Sequence, residues 1–243
     1  MNVSAQHQNA KGKHVAIVTF NHNVGHCLVN KMDSIGSQSS HTASADVTQE
    51  ESTTSGIAGE GLDLTNPPSP KCLGSWNTWG INGPQKLRSV RNWINKYQLG
   101  IVGLLETKVS LNNLKKIEVG LNLSGWNFLS NITNADPCRI LVGWDTSLFN
   151  LTLIHIDVQW ITCKITSLAS QESARITFVY GRNTHVDRRP LWDYISSISH
   201  LFNDLPWVLL GDFNAILQAD QKVGGDARWL GHHEEFHDAI HQA

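Results

Sequence analysis

From residue 72 onward the apolar positions recur in two periods, one of two residues and one near 3.6, and the switching between them lays out the elements. "CLGSWN" reads as a short strand. Pro84 opens "PQKLRSVRNWINKYQ", where Leu87, Val90, Ile94 and Tyr97 recur at helical spacing with proline in the first turn. "GIVGLLE" (100–106) reads as a buried strand ending on a carboxylate. In "SLNNLKKIEVGL" Ser110 is placed as an N-cap, and Leu111, Leu114, Ile117 and Leu121 share one helical face. A succession of strands follows in "WNFLSN", "RILVGWD", "LTLIHIDVQW", "ITCKITSL" and "ARITFVYG". The third alternates, with Leu151, Leu153, His155 and Asp157 on one side and Thr152, Ile154, Ile156 and Val158 on the other. "RRPLWDYISSISHLFND" (188–204) predicts a helix with Leu191, Tyr194, Ile195, Ile198 and Leu201 inward. In "PWVLLGDFNAIL" (206–217) the run Val208-Leu209-Leu210 stops at Gly211-Asp212, with Asn214 just beyond, and a last helix starts near "HHEEFHDAI". Helix and strand early, then strands in sequence, predict an α/β fold of two packed sheets with helices outside.

The first 71 residues have a different character. "HVAIVTF" (14–20) could be a strand but has no obvious neighbour. Residues 33–70 are rich in Ser, Thr, Gly and acids and poor in large apolar side chains, so the expectation is disorder, closed by Pro67, Pro68 and Pro70. None of the nine tryptophans precedes Trp76, which puts the boundary in the same place. The division expected is therefore residues 1–71, low in complexity, and a domain over 72–243.

Composition adds exclusions. The formal charge is −2, and residues 72–243 balance acids and bases evenly, so no basic stripe announces nucleic acid; such binding would have to come from local geometry. The four cysteines, Cys27, Cys72, Cys138 and Cys163, show no C-x-x-C spacing and suggest neither zinc nor a disulfide framework. There is no signal-peptide layout and no apolar stretch of membrane-spanning length, so an intracellular, soluble chain without a membrane partner is expected. On that reading the Asn-x-Ser/Thr triplets at Asn2, Asn122, Asn131 and Asn150 are chance matches.

Candidate chemistry gathers where strands leave the core. Asn77 ends "SWN", Glu106 ends "GLLE", Tyr180 and Asn183 follow "TFVYGRN", and Asp212 and Asn214 follow "LLGDFN". A carboxylate beside low-dielectric packing is relieved by a divalent cation. Each also has a plainer account. Asp212 and Asn214 could form an Asx turn, Glu106 could pair with Lys108 at the surface, Asn77 could be a turn residue before Gly80, and Tyr180 could be a core aromatic. "HHEEFH" supplies His232, His233, Glu234, Glu235 and His237; it fits H-E-x-x-H, but with no third ligand in view a solvated helix face is the better account.

Taken in order, "WNTWGINGPQKLRSVRNWINKYQLGIVGLLETKV", "RILVGWD", "VYGRNTHVDRRPLWDYI" and "WVLLGDFNAIL" resemble the endonuclease/exonuclease/phosphatase superfamily. Within it they look most like the apurinic-type endonuclease domain of plant LINE (non-LTR) retrotransposons. The resemblance covers residues 73–241. It implies a deoxyribonuclease I-like four-layer sandwich, Mg2+ or Mn2+ as cofactor with no small-molecule cofactor, DNA as substrate, and a nuclear place of action. Position by position it implies metal binding by Glu106 and orientation or deprotonation of the attacking water by Asp212. It further implies phosphate contacts from Asn214, Asn77 and Tyr180, and a looser one from Asn183. The reaction implied is in-line hydrolysis of a phosphodiester.

Two departures stand out. Trp79 occupies a position where some relatives carry an acid that contacts metal. The Ser-Asp-His ending of the family, and the aspartate that orients its histidine, are not found before Ala243, so the domain is expected to lack its final segment and to have little or no nuclease activity as given. The alternatives are a catalytically dead remnant or binding module, and a phosphatase of the same superfamily.

Overall fold

Side-chain alternation along the strands sorts the chain into layers. The computed structural model describes residues 5–8, 15–19, 26–28, 73–202, 204–216 and 231–242. Its strands are β1 (Ala5–Gln8), β2 (Val15–Thr19), β3 (His26–Leu28), β4 (Leu73–Asn77), β5 (Ile101–Val109) and β6 (Trp126–Ser130), followed by β7 (Cys138–Asp145), β8 (Phe149–Ile156), β9 (Trp160–Ser167), β10 (Ser173–Tyr180) and β11 (Trp207–Asp212). The helices are α1 (Pro84–Lys96), α2 (Leu111–Leu121), α3 (His185–Ile198) and α4 (Gly231–Gln242). One sheet runs β3-β4-β5-β7-β6 and the other β1-β2-β11-β10-β9-β8. Residues 73–212 supply four strands to each, and the short N-terminal strands extend one edge of each.

In β5, Val102 and Leu104 pack outward against Leu87 and Val90 of α1 and Ile117 of α2. Ile101 and Leu105 face the other way and meet Ile176 and Phe178 of β10 and Leu210 of β11. On the far side, Trp207 and Leu209 of β11 pack against Leu191 and Ile195 of α3 and Phe236 of α4. The result is helix, sheet, sheet, helix: the sandwich expected from the pattern. Burial of both faces explains why β5 and β11 read as near-continuous apolar runs.

The boundaries differ from the reading of the sequence in instructive places. β5 continues past Glu106 to Val109, through a register shift between Leu105 and Val109 against β7. α3 begins at His185 because Thr184 caps it, its Oγ1 accepting from the Asp187 N–H at 3.2 Å. It ends at Ile198, ahead of a 3-10 turn over Ser199–Leu201. Leu111 and Leu201, both expected inward, are 63% exposed; each lies in the end turn of its element, beyond the packed face. The alternation of β8 does not produce one buried face. β8 is a sheet edge, and a register shift between Leu153 and His155 interrupts its period.

"HVAIVTF" does have a neighbour: β2 runs parallel to β11, pairing Val15 with Trp207 and Thr19 with Gly211. Pairing of that sequence separation carries no local signal. The segment 33–70, expected to be disordered, lies outside the described residues. Asn131, one of the triplet asparagines, is buried; its amide donates to the Asp157 and Val158 carbonyls and accepts from the Arg139 and Ile140 N–H groups. Cys138 and Cys163 are buried free thiols, and burial pushes Cys163 up to about 12. Among the described residues no helix is long and apolar enough to cross a membrane.

Candidate active site

The same alternation that builds the inter-sheet core delivers polar groups to its end. In β11, Val208 and Leu210 face the other sheet, so Asp212 does too; in β10, Ile176 and Phe178 do, so Tyr180 follows. β10 and β11 are parallel, and Tyr180 is the register partner of Asp212. β4 is parallel to β5 and ends at Asn77, whose inward parity is that of Leu73. Asn77 and Asp212 therefore confront each other from opposite sheets, and the Asn77 amide donates to Asp212 Oδ2 at 2.8 Å.

Both ends of this bond are held. Asn77 Oδ1 accepts from the Trp79 N–H at 3.2 Å, and Asp212 Oδ1 accepts from the Asn214 N–H at 3.0 Å. The second is the Asx turn anticipated for "GDFN", and it fixes the carboxylate rather than competing with a role for it. Asn214 in turn donates from Nδ2 to the Gly181 carbonyl at 2.7 Å, tying the loops after β10 and β11 together. Two glycines allow that approach: a Cβ at Gly211 would collide with the Val179 carbonyl, and one at Gly181 with the Phe213 carbonyl.

Glu106 needed more than alternation. Strict period two would send it toward the helices with Val102 and Leu104. Instead Glu106 adopts φ 50° and Lys108 φ 53°, left-handed conformations within the irregular stretch of β5. The turn of the backbone brings the carboxylate to Tyr180, on the inter-sheet side. Burial, then the Glu106 charge, push the Tyr180 phenol up to about 12; Asp212 acts in the same direction, Arg139 against it, and a hydrogen bond with Glu106 also holds the proton on. Lys108 Nζ lies 2.8 Å from Glu106 Oε1. The plainer pairing expected for Glu106 is thus present together with the site geometry.

Left-handed non-glycine residues gather here: Trp79, Glu106, Lys108 and Asn214 are four of the seven in the described residues. Each costs on the order of 1–3 kcal/mol, a concentration of strain typical of functional sites. Asn183 is not drawn in by its side chain: it is exposed, and it is its carbonyl that accepts from Arg188. Arg188 was missed in the sequence. It is buried, burial lowers its pKa, and it clamps the 182–183 loop by donating to both carbonyls. Gln159, also missed, accepts from the Arg182 N–H at 2.8 Å through its side chain and from the Tyr180 N–H through its carbonyl. Neither ends an apolar run, since each acts by holding the backbone of a loop.

In α4, Glu235 is held by Arg189 at 2.9 Å, while Phe236, Ala239 and Ile240 are buried against α3, so this helix is a packing element with an acid-bearing outer face. Among the described residues no group of three or more His, Cys, Asp or Glu side chains converges as metal ligands. The donor chemistry at Glu106 nonetheless suits a hard cation: an oxygen donor that already faces an ammonium, where Mg2+ needs only one or two carboxylates beside waters and substrate oxygens.

A model of the endonuclease/exonuclease/phosphatase family matches residues 74–233. No curated protein matches the sequence. Among solved structures, the chain is similar to an AP endonuclease from Leishmania major, at 14% identity over 76% of this chain and 71% of that one, TM-score 0.52. It is similar to the endonuclease domain of TRAS1, a telomere-specific non-LTR retrotransposon, at 11% identity over 70% of each chain, TM-score 0.51. A mannosyl-6-phosphatase from Bacteroides thetaiotaomicron aligns at 14% identity and TM-score 0.47, covering 59% of this chain; the chain spans 65% of its length.

Proposed function

The chain belongs to the endonuclease/exonuclease/phosphatase family, and from that premise we propose that residues 72–243 form a domain for divalent-metal-dependent hydrolysis of phosphodiesters in DNA, of the retrotransposon endonuclease type. The observation that carries the reading is the Asn77–Asp212 bond, which joins the ends of two sheets and holds Asp212 beside Tyr180, with Glu106 reaching the same phenol. The wording of "WNTWGINGPQK" and "VYGRN", and a fold shared with a retrotransposon endonuclease domain, support DNA as the substrate. A nuclear place of action follows from that substrate.

In this reading Glu106 holds the cation, which when bound supplies charge neutralisation on the phosphate oxygens. Asp212, positioned by the Asn77 amide and the Asn214 N–H, orients the attacking water and accepts its proton. Tyr180 stays a neutral O–H donor at physiological pH, suited to a phosphate oxygen. Asn77 and Asn214 hold the geometry, each with an amide hydrogen to spare.

The test is incubation of the purified chain with supercoiled plasmid and Mg2+. Slow nicking is expected, abolished by EDTA and reduced about a hundredfold or more in Asp212→Ala and Glu106→Ala. A wild-type chain that nicks nothing, or variants that nick equally well, would overturn the proposal.

A further inference from the structure

We propose that Trp79 is a stacking platform for one base of the strand held at this site, a role that rests on the nucleic-acid reading above. Trp79 stands two residues, about 7 Å of chain at most, beyond Asn77. Its side chain is 54% exposed. The residue takes φ 52°, an outlier for a bulky side chain. Its own N–H is bound by Asn77 Oδ1, and the flanking Thr78 and Gly80 N–H groups are bound by the Leu105 and Glu106 carbonyls at 2.9 and 2.8 Å. The ring is thus presented from a fixed root beside Asp212's partner, so little ordering remains for a ligand to impose.

The surroundings select the occupant. Thr78 and Ile81 are fully buried, and the next exposed side chain across the ladder is Lys108, whose stem runs beside Gly80. One aromatic face with a cationic neighbour is far short of the roughly 1,000 Å² of a specific protein interface. It does fit one flat π-system attached to a phosphate. On the opposite sheet, exposed Arg182 follows Tyr180, its backbone pinned by Gln159 and Arg188, so an exposed aromatic stands just past the end of β4 and an exposed arginine just past the end of β10. With a net charge of −2 the chain has no long-range pull on DNA, and stacking is the sequence-tolerant source of affinity that remains.

The experiment uses the full chain, in EDTA, with two labelled oligomers of ~12 nucleotides, one of oligo-dT and one wholly abasic, read by fluorescence anisotropy. Trp79→Ala should weaken oligo-dT binding about tenfold and leave the abasic oligomer unchanged, while Trp79→Phe retains most of the affinity. Arg182→Ala should weaken both oligomers alike and flatten the salt dependence. Equal losses on both oligomers in Trp79→Ala, or none on either, would overturn the stacking role while leaving the site reading intact. A wild-type chain that binds neither oligomer would remove both.

Discussion

The Tyr180 phenol sits at the end of the inter-sheet core, beside Asp212, and its titration reports on that position. Burial first, then the Glu106 charge, hold it near 12 against an ordinary value of 10, and Tyr194, a half-buried residue of α3 stacked on Trp160, is likewise raised to about 12. The folded protein therefore keeps two protons that the unfolded chain releases. Their contribution to stability is complete below pH 10 and is lost as the pH rises from 10 toward 12. Melting temperatures measured across that window should fall with pH, and Tyr180→Phe should flatten the slope while leaving the neutral-pH value little changed. A slope identical in the variant would show that Tyr180 ionises normally. At this scale Asn77, Glu106, Tyr180, Asp212 and Asn214 were all legible as candidates, because polar groups ending apolar runs are conspicuous in one dimension. Arg188 and Gln159 were not, because what they hold is the backbone of a segment 5 to 23 residues away.

Among the elements, β5 shows how a site is taken out of a core. Its alternation would place Glu106 among the helices, and the left-handed bend at that residue reverses it. Removing the reason for the bend should release its strain. Glu106→Gly, which accepts positive φ freely, is expected to gain about 1 kcal/mol of stability in urea denaturation while ending catalysis. A loss of stability would mean that the contacts to Lys108 and Tyr180 outweigh the strain. The sequence reading stopped β5 at Glu106 because the bulge residue looked like a terminus. It paired β2 with nothing because its partner, β11, lies nearly 200 residues away in the chain.

For the whole molecule, the Asn77–Asp212 bond depends on the spacing of two sheets, and that spacing is set by the side chains between them. Phe178 is fully buried there and fills the space left by Gly103, where even a Cβ would collide with its ring. Phe178→Ala is expected to cost about 3–5 kcal/mol in chemical denaturation and to lower nicking more than the remaining folded fraction accounts for. Nicking in proportion to the folded fraction would separate core packing from site geometry.

The element types, the two-sheet α/β class and the polar residues that end the strands are legible in one dimension, because period and strand-end polarity are local properties of the chain. That those ends meet is a property of the packed sheets alone. Asn77 and Asp212 are 135 positions apart, and their bond exists because two parallel pairs of strands present the same inward face at the same end of one core.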